Sequence, residues 1–191
     1  LSMHPTGDSK KDAVNRRYNE ELITSHVSGR LKVAPEHTED AVLDVMRKPS
    51  FDLFYRFKEV FDRVNARHNL RQQLIPYFIS SHPGCTELDM AQLAIKTRDL
   101  DFHLEQVQDF TPTPMTVATE IYYSGIHPYT GEHLFTATRP EQKLAQRQYF
   151  FWYDRAYRHG IETSLRRLHR PDLIRRLFAP HMPKPQRDSS R

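Results

Sequence analysis

The chain has 191 residues, 38% of them hydrophobic and 27% charged, a balance that suits a folded domain and excludes a disordered or fibrous segment. No apolar run approaches the ~20 residues that a membrane-spanning helix requires, and the opening LSMHPTGDSKK lacks the apolar centre of a signal peptide, so the expected location is cytoplasmic with no membrane partner. The single cysteine, Cys85, excludes an internal disulfide and any zinc or iron–sulfur site that draws several thiolates from this chain alone.

The formal charge of +4 is unevenly spread: residues 139–191 hold 13 Lys and Arg against 5 Asp and Glu, a net of +8, and residues 1–138 hold 15 against 19, a net of −4. A basic carboxyl-terminal region would attract phosphates, RNA among them. The same composition also describes a solvated pair of helices followed by a basic tail.

In chain order, Lys10 to Ser25 is polar and compatible with a helix, with Gly29 as its stop. Leu31 to Pro35 is a short extended run. Thr38 can cap the next helix, with Glu39 and Asp40 in its first turn, Val42, Val45 and Met46 as its apolar stripe, and Arg47 and Lys48 at its end. Ser50 can cap another, in which Phe54, Phe57, Phe61 and Val64 recur at intervals of three and four; that stripe reads as core packing. A strand is expected over Gln73 to Ser80, and Thr86 with Asp89 forms a capping box for a helix with Leu88, Ala91 and Ile95 on one face. His103 to Phe110 is the next strand. A tyrosine-rich loop, IYYSGIHPYTGEHLF, leads to two helices over about 140–158 and 161–178 and a tail, MPKPQRDSSR, expected to be disordered.

Strand, helix, strand, helix, strand is the pattern of parallel β/α units, whose ligands collect at the carboxyl ends of the strands. The places to look are Glu36-His37, Ser80-Ser81-His82 and Asp109-Phe110-Thr111. Pro76 removes a ladder hydrogen bond from the middle strand, so a bulge is expected near it. By alternation Lys32, Ala34 and Glu36 point together, as do Leu104, Gln106, Gln108 and Phe110. Those polar faces fit two arrangements: the hydrated interior of a barrel, or the solvent side of a half-exposed sheet. His37 and His82 read as turn-fixing histidines, Tyr122, Tyr123 and Trp152 as packing groups, and Cys85 as a small buried residue whose place at a helix start would make its thiol somewhat acidic.

Three segments, LKVAPEHT…VLDVMRKPSF, QQLIPYFISSHPG and QVQDFTPTPMTVATEIYYSG, closely resemble the carboxyl half of the radical SAM domain in the YgiQ family. Their order and spacing are also similar to more distant methylthiotransferase and B12-dependent radical SAM enzymes. The likeness runs from about Tyr18 to about Tyr123, and more loosely through EQKLAQRQYFFWYDRAYR to LIRRLF. It implies an α/β fold that forms the later parallel strands of a partial (β/α)6 barrel, followed by a basic helical carboxyl-terminal extension. The corresponding segments are an amino-terminal helix and linker (1–30), the later barrel (31–125), a loop with basic helices (126–178), and a disordered tail (179–191).

The resemblance further implies S-adenosylmethionine and a four-iron, four-sulfur cluster, generating a 5′-deoxyadenosyl radical that acts on an unknown substrate. The family's CxxxCxxC motif is absent, so the chain reads as a fragment or truncated product that would not hold the cluster by itself. By position, the resemblance implies Glu36 towards the ribose, Ser80 and Ser81 along the adenosine, His82 at the ribose or the substrate, and Gln108, Phe110 and Thr111 near the adenine. The alternative is a non-catalytic module that binds nucleic acid through residues 139–191. An open half-barrel leaves strand edges uncovered, so self-association is expected.

Overall fold

The computed structural model of the chain describes residues 7–179; the tail from 180 onward, expected to be disordered, lies outside them. Asp8 starts the first helix, α1 (Ser9–Ser25), by accepting from the N–H groups of Lys10 (2.9 Å) and Lys11 (3.4 Å). Gly29 is not its stop: the helix closes at His26, whose N–H donates to the Leu22 carbonyl, and Gly29 precedes the first strand instead.

The elements that follow are β1 (Arg30–Glu36), α2 (Asp40–Val45), α3 (Asp52–Arg67), β2 (Gln73–Ser80), α4 (Glu87–Asp99) and β3 (Gln106–Asp109). The strands form one parallel sheet in the order β1-β2-β3, with β2 in the centre. β2 has the span read from the sequence, and the Thr86–Asp89 capping box is formed, with the Thr86 N–H 2.8 Å from the Asp89 carboxylate. α2 is capped at Glu39 without a side-chain bond; the Thr38 hydroxyl donates to the Glu39 carboxylate rather than capping the helix. The Ser50 hydroxyl accepts from the Asp52 N–H at 3.2 Å, one residue ahead of the assigned cap, Phe51.

Pro76 sits buried in the central strand, and the irregularity expected near it appears on the facing strand. Val33 pairs with Pro76, but the next β1 partner is Glu36, opposite Phe78. The extra residue breaks the alternation, and Glu36, at φ 69°, leaves the face shared by Lys32 and Ala34. β3 is shorter than the expected His103 to Phe110 because the backbone before it is engaged elsewhere. The Leu104 carbonyl accepts from the Tyr153 hydroxyl (3.2 Å), and His103 stacks on the Tyr153 ring at 4.6 Å, so Leu104 joins the core instead of the strand face.

One sheet face, carrying Leu31, Val33, Leu74, Phe78 and Val107, packs on the helices. Against it lie the phenylalanines of α3 (Phe54, Phe57 and Phe61, each at most 7% exposed) and the Met90–Ile95 face of α4. Each buried phenylalanine contributes roughly 1.5–3 kcal/mol through apolar area withdrawn from water. Gln72 ties the ends of α1 and α3 together: its side-chain amide donates to the Ile23 (2.8 Å) and Val27 (2.7 Å) carbonyls, and its N–H donates to the Asn65 side chain.

The carboxyl-terminal part has more helices than the sequence suggested. Running into the expected tyrosine-rich loop, Val117–Ser124 forms α5, capped by the Thr116 hydroxyl and closed by Gly125, whose φ of 69° only glycine adopts readily. The expected pair over 140–178 is three helices and a 3₁₀ turn: α6 (Pro140–Arg147), the turn (Gln148–Phe151), α7 (Arg155–Arg167) and α8 (Pro171–Phe178). Asp154 caps α7 by accepting from the Ala156 N–H (2.9 Å), and Pro171, which cannot continue a helix, begins α8. Tyr149, Phe150, Ile161, Leu165, Leu173 and Leu177 belong to the same buried cluster as the α3 phenylalanines. No helix among the described residues is long and apolar enough to cross a membrane.

The second sheet face, with Lys32, Ala34, Ile75, Tyr77, Ile79 and Gln108, is not part of that core and is half-buried or open to solvent. Parallel sheets are ordinarily covered on both faces. The isolated chain should therefore self-associate as its concentration rises, and Ile75→Glu with Tyr77→Lys should reduce that association. Light scattering after size exclusion reads this directly; a strictly monomeric, cooperatively melting chain at all concentrations would contradict an uncovered face.

Candidate functional site

The carboxyl ends of the three strands meet at one rim. At the end of β1 the Glu36 Oε1 lies 3.3 Å from the Lys48 ammonium, while its Oε2 is buried with no partner among the described residues. At the end of β2 the Ser80 hydroxyl donates to Asp109 Oδ1 across the β2–β3 register (2.5 Å). Ser81 follows in the left-handed region (φ 61°), with its N–H donating to the Gln146 side-chain oxygen at 2.7 Å and its own buried hydroxyl left without a described partner. Non-glycine residues with such backbone are costly by ~1–3 kcal/mol and gather at functional sites. Gly84, at φ 84°, donates to the Phe135 carbonyl, and a Cβ there would meet Val45 Cγ2 at 3.2 Å.

Of the residues singled out from the sequence, Glu36, His82, Gln108, Phe110 and Thr111 line a single cavity of about 350 Å³. That is within the ~300–1,000 Å³ typical of small-ligand sites. Ser80 and Ser81 are adjacent in sequence to this wall and fully buried, but do not line it. His82 meets Phe110 edge to face (4.9 Å), and Phe110 packs on Tyr122 (5.6 Å), so one wall is aromatic. The Gln108 carbonyl oxygen accepts from the Tyr77 hydroxyl, which leaves its amide N–H groups without a described partner. Two other cavities, each of about 370 Å³, lie against β1 and α3 and beside α7 and α8; neither gathers the strand ends.

The histidines fix turns, as the sequence suggested. His82 Nδ1 lies 2.9 Å from the Pro83 carbonyl and must donate to it, so Nε2 keeps a lone pair; burial lowers its pKa. His37 Nδ1 accepts from the Glu39 N–H (3.1 Å), which puts its proton on Nε2, 3.5 Å from the Cys85 sulfur. Burial of the ring lowers the His37 pKa to about 3, with Lys96 and His82 close by adding to it, and a second proton would point at the Glu39 N–H. Cys85 is fully buried and its thiol is pushed up by burial, the opposite of the acidic thiol that a helix start suggested.

Several contributors escaped the sequence reading. Met46, Lys48, Ile79, Thr113, Thr116 and Ala118 also line the cavity, beside Asp109, which the sequence had placed at a strand end. Gln146 and Arg147 reach the rim from α6: the Gln146 amide donates to the Cys85 carbonyl at 2.7 Å, and Arg147 donates to Asp109 Oδ2 at 3.2 Å. Nothing in the local sequence marks them, because their partners lie 38 to 65 residues away. Tyr122 is buried packing, whereas Tyr123 is 76% exposed. In the basic region Arg139, Arg147, Arg158, Arg166, Arg167 and Arg170 are paired with carboxylates of the chain, and Arg155, Arg175 and Arg176 form no ion pair with a described carboxylate.

Residues 105–188 match the model of a domain of unknown function, DUF3362. The chain is similar to UPF0313 proteins of Bacteroides thetaiotaomicron (62% identical over 178 residues, covering 93% of this chain and 29% of the relative) and Porphyromonas gingivalis (58% over 178 residues, 93% and 28%). A UPF0313 protein of Methanosarcina acetivorans is 41% identical over 160 residues, 84% of this chain and 22% of the relative. The chain thus spans less than a third of the length of these curated relatives. No solved structure matches it.

The buried His37 makes a pH prediction. Its folded pKa is depressed to about 3 from 6.5, so its contribution to stability is complete above pH ~6.5 and is lost as the pH falls from there towards 3. At pH 5 the loss amounts to about 2 kcal/mol. Urea unfolding between pH 7.5 and 5 should show this decline, and His37→Asn, whose amide oxygen can still accept from Glu39, should flatten it.

Proposed function

We propose that the chain is the later part of a radical SAM enzyme, and that its rim cavity takes the adenosyl portion of S-adenosylmethionine. The observation that carries this reading is the convergence of three parallel strand ends on one cavity, lined by Glu36, His82, Gln108, Phe110 and Thr111, with Glu36 in left-handed backbone and carrying a buried carboxylate oxygen without a described partner. The open sheet face and the short share of the relatives' length agree with a barrel completed by other segments of a longer protein.

The residues present suit an adenosyl group. Glu36 Oε2, His82 Nε2 and the Thr111 hydroxyl oxygen, whose proton goes to the Asp109 carbonyl, offer acceptors for ribose hydroxyls, the Gln108 amide offers donors, and the Phe110 ring offers an apolar wall. Lys48 pairs with the other oxygen of the Glu36 carboxylate and orients it. Bound there, S-adenosylmethionine would supply hydrogen-abstraction chemistry, and these residues would hold its adenosyl end.

The cluster does not fit this chain. Cys85 is the single cysteine, it is fully buried with a raised pKa, and no group of three or more His, Cys, Asp or Glu among the described residues could hold a metal. In this reading the cluster ligands would come from other segments of a longer protein.

The test is anaerobic reconstitution of the full-length Bacteroides thetaiotaomicron relative with iron and sulfide, followed by an assay for 5′-deoxyadenosine. Product is expected. Replacing the residues equivalent to Glu36 or His82 with Ala should lower its rate about tenfold while the cluster absorbance persists, as loss of one charged or buried hydrogen bond implies. A protein with a complete cluster that forms no 5′-deoxyadenosine would overturn the reading.

A further inference from the structure

We propose that Gln146 and Arg147, neighbours on α6, are positioning residues of the rim cavity: they hold the strand-end turns so that His82 and Phe110 meet edge to face in its aromatic wall. The inference deepens the reading of that cavity as a ligand site and rests on it for its functional meaning. Its geometry stands separately.

Gln146 is 1% exposed, and both ends of its amide are used. The oxygen accepts from the Ser81 N–H and the nitrogen donates to the Cys85 carbonyl, each at 2.7 Å, so one side chain spans the whole turn that carries His82. That turn begins in the left-handed region at Ser81, a backbone state that persists only where the surroundings impose it. A buried primary amide bonded to two peptide groups is such an imposition, since withdrawing it leaves a buried donor and a buried acceptor unpaired.

Arg147 acts on the next strand end. Its guanidinium donates to Asp109 Oδ2 (3.2 Å) while Oδ1 of the same carboxylate accepts from Ser80 (2.5 Å), which locks the last pair of the β2–β3 ladder immediately before Phe110. One helical turn earlier, the Lys143 ammonium lies 5.2 Å from the centre of the Tyr122 ring, the ring that backs Phe110. α6 therefore touches the support of both rings that form the aromatic wall. α6 lies within the residues matched by the domain of unknown function, and the turn that it holds lies before them. By linkage, whatever fills the cavity tightens the docking of α6, and the docking of α6 tightens the cavity.

Amide hydrogen exchange on the 191-residue chain decides the matter. Gln146→Leu, of similar size, should speed exchange at the Ser81, Gly84 and Cys85 amides by about tenfold or more and leave the α3 amides unchanged. Gln146→Glu, which keeps the acceptor for Ser81, should restore protection at Ser81. Unchanged exchange at the turn, or equal acceleration in α3, would overturn the proposal. Should Gln146→Leu fail to fold, Arg147→Ala decides through the Phe110 amide, which donates to the Ser80 carbonyl: faster exchange there supports the proposal, and unchanged exchange refutes it. S-adenosylmethionine, titrated by calorimetry into each protein, should bind the variants about tenfold more weakly than the unaltered chain. Absence of binding to the unaltered chain would remove the ligand reading of the cavity, and the exchange data would still judge the positioning role.

Discussion

The rim depends on the parallel pairing of β2 with a neighbour on each side. In a parallel ladder all strands run in one direction, so their carboxyl ends fall on one edge and the turns that follow emerge together. Register then selects which residues meet. Ser80 stands opposite Asp109, and the irregularity beside Pro76 advances β1 by a residue so that Glu36 stands opposite Phe78. A proline in the central strand, normally a liability, accompanies the change of register that brings a carboxylate to the edge of the cavity.

The helices after β3 are structurally inseparable from that edge. They share the core of the α/β part through Tyr149, Phe150, Leu165 and Leu173, and they reach the strand ends through α6. Much of the basic character of this region is consumed locally: Glu162 accepts from both Arg158 and Arg166, and Glu87 on α4 pairs with Arg167. Formal charge counted along a chain overstates the charge available to a partner when arginines are already bonded to neighbouring carboxylates. This weighs towards reading the carboxyl-terminal helices as a brace for the rim rather than as a surface built for phosphates.

Local signals carried the elements that depend on local physics. The three- and four-residue spacing of Phe54, Phe57 and Phe61 put a helix on the core, and Thr86 with Asp89 formed the box that their spacing allows. Elements were misread where capping was overlooked or where distant groups intervened. Thr116 and Gly125 bracket α5, whose last turn takes the start of the expected tyrosine-rich loop, and Asp154 starts α7 inside the expected helix over 140–158. β3 lost its first residues because Tyr153, far along the chain, binds the Leu104 carbonyl.

The sequence by itself determined the alternation of strands and helices from β1 to β3, the core face of α3, and the strand-end positions Glu36, His82, Phe110 and Thr111 that gather at one cavity, because periodicity, capping and strand polarity are properties of short stretches; Gln108 was added by the family resemblance. Only the tertiary structure decided that Ser80 and Ser81 lie beneath the cavity rather than in its wall, that Gln146 and Arg147 hold it from α6, and that one face of the sheet stays uncovered. Those outcomes turn on hydrogen bonds and packing between residues tens of positions apart, whose pairing is fixed by three-dimensional register and leaves no mark in the spacing of the residues themselves.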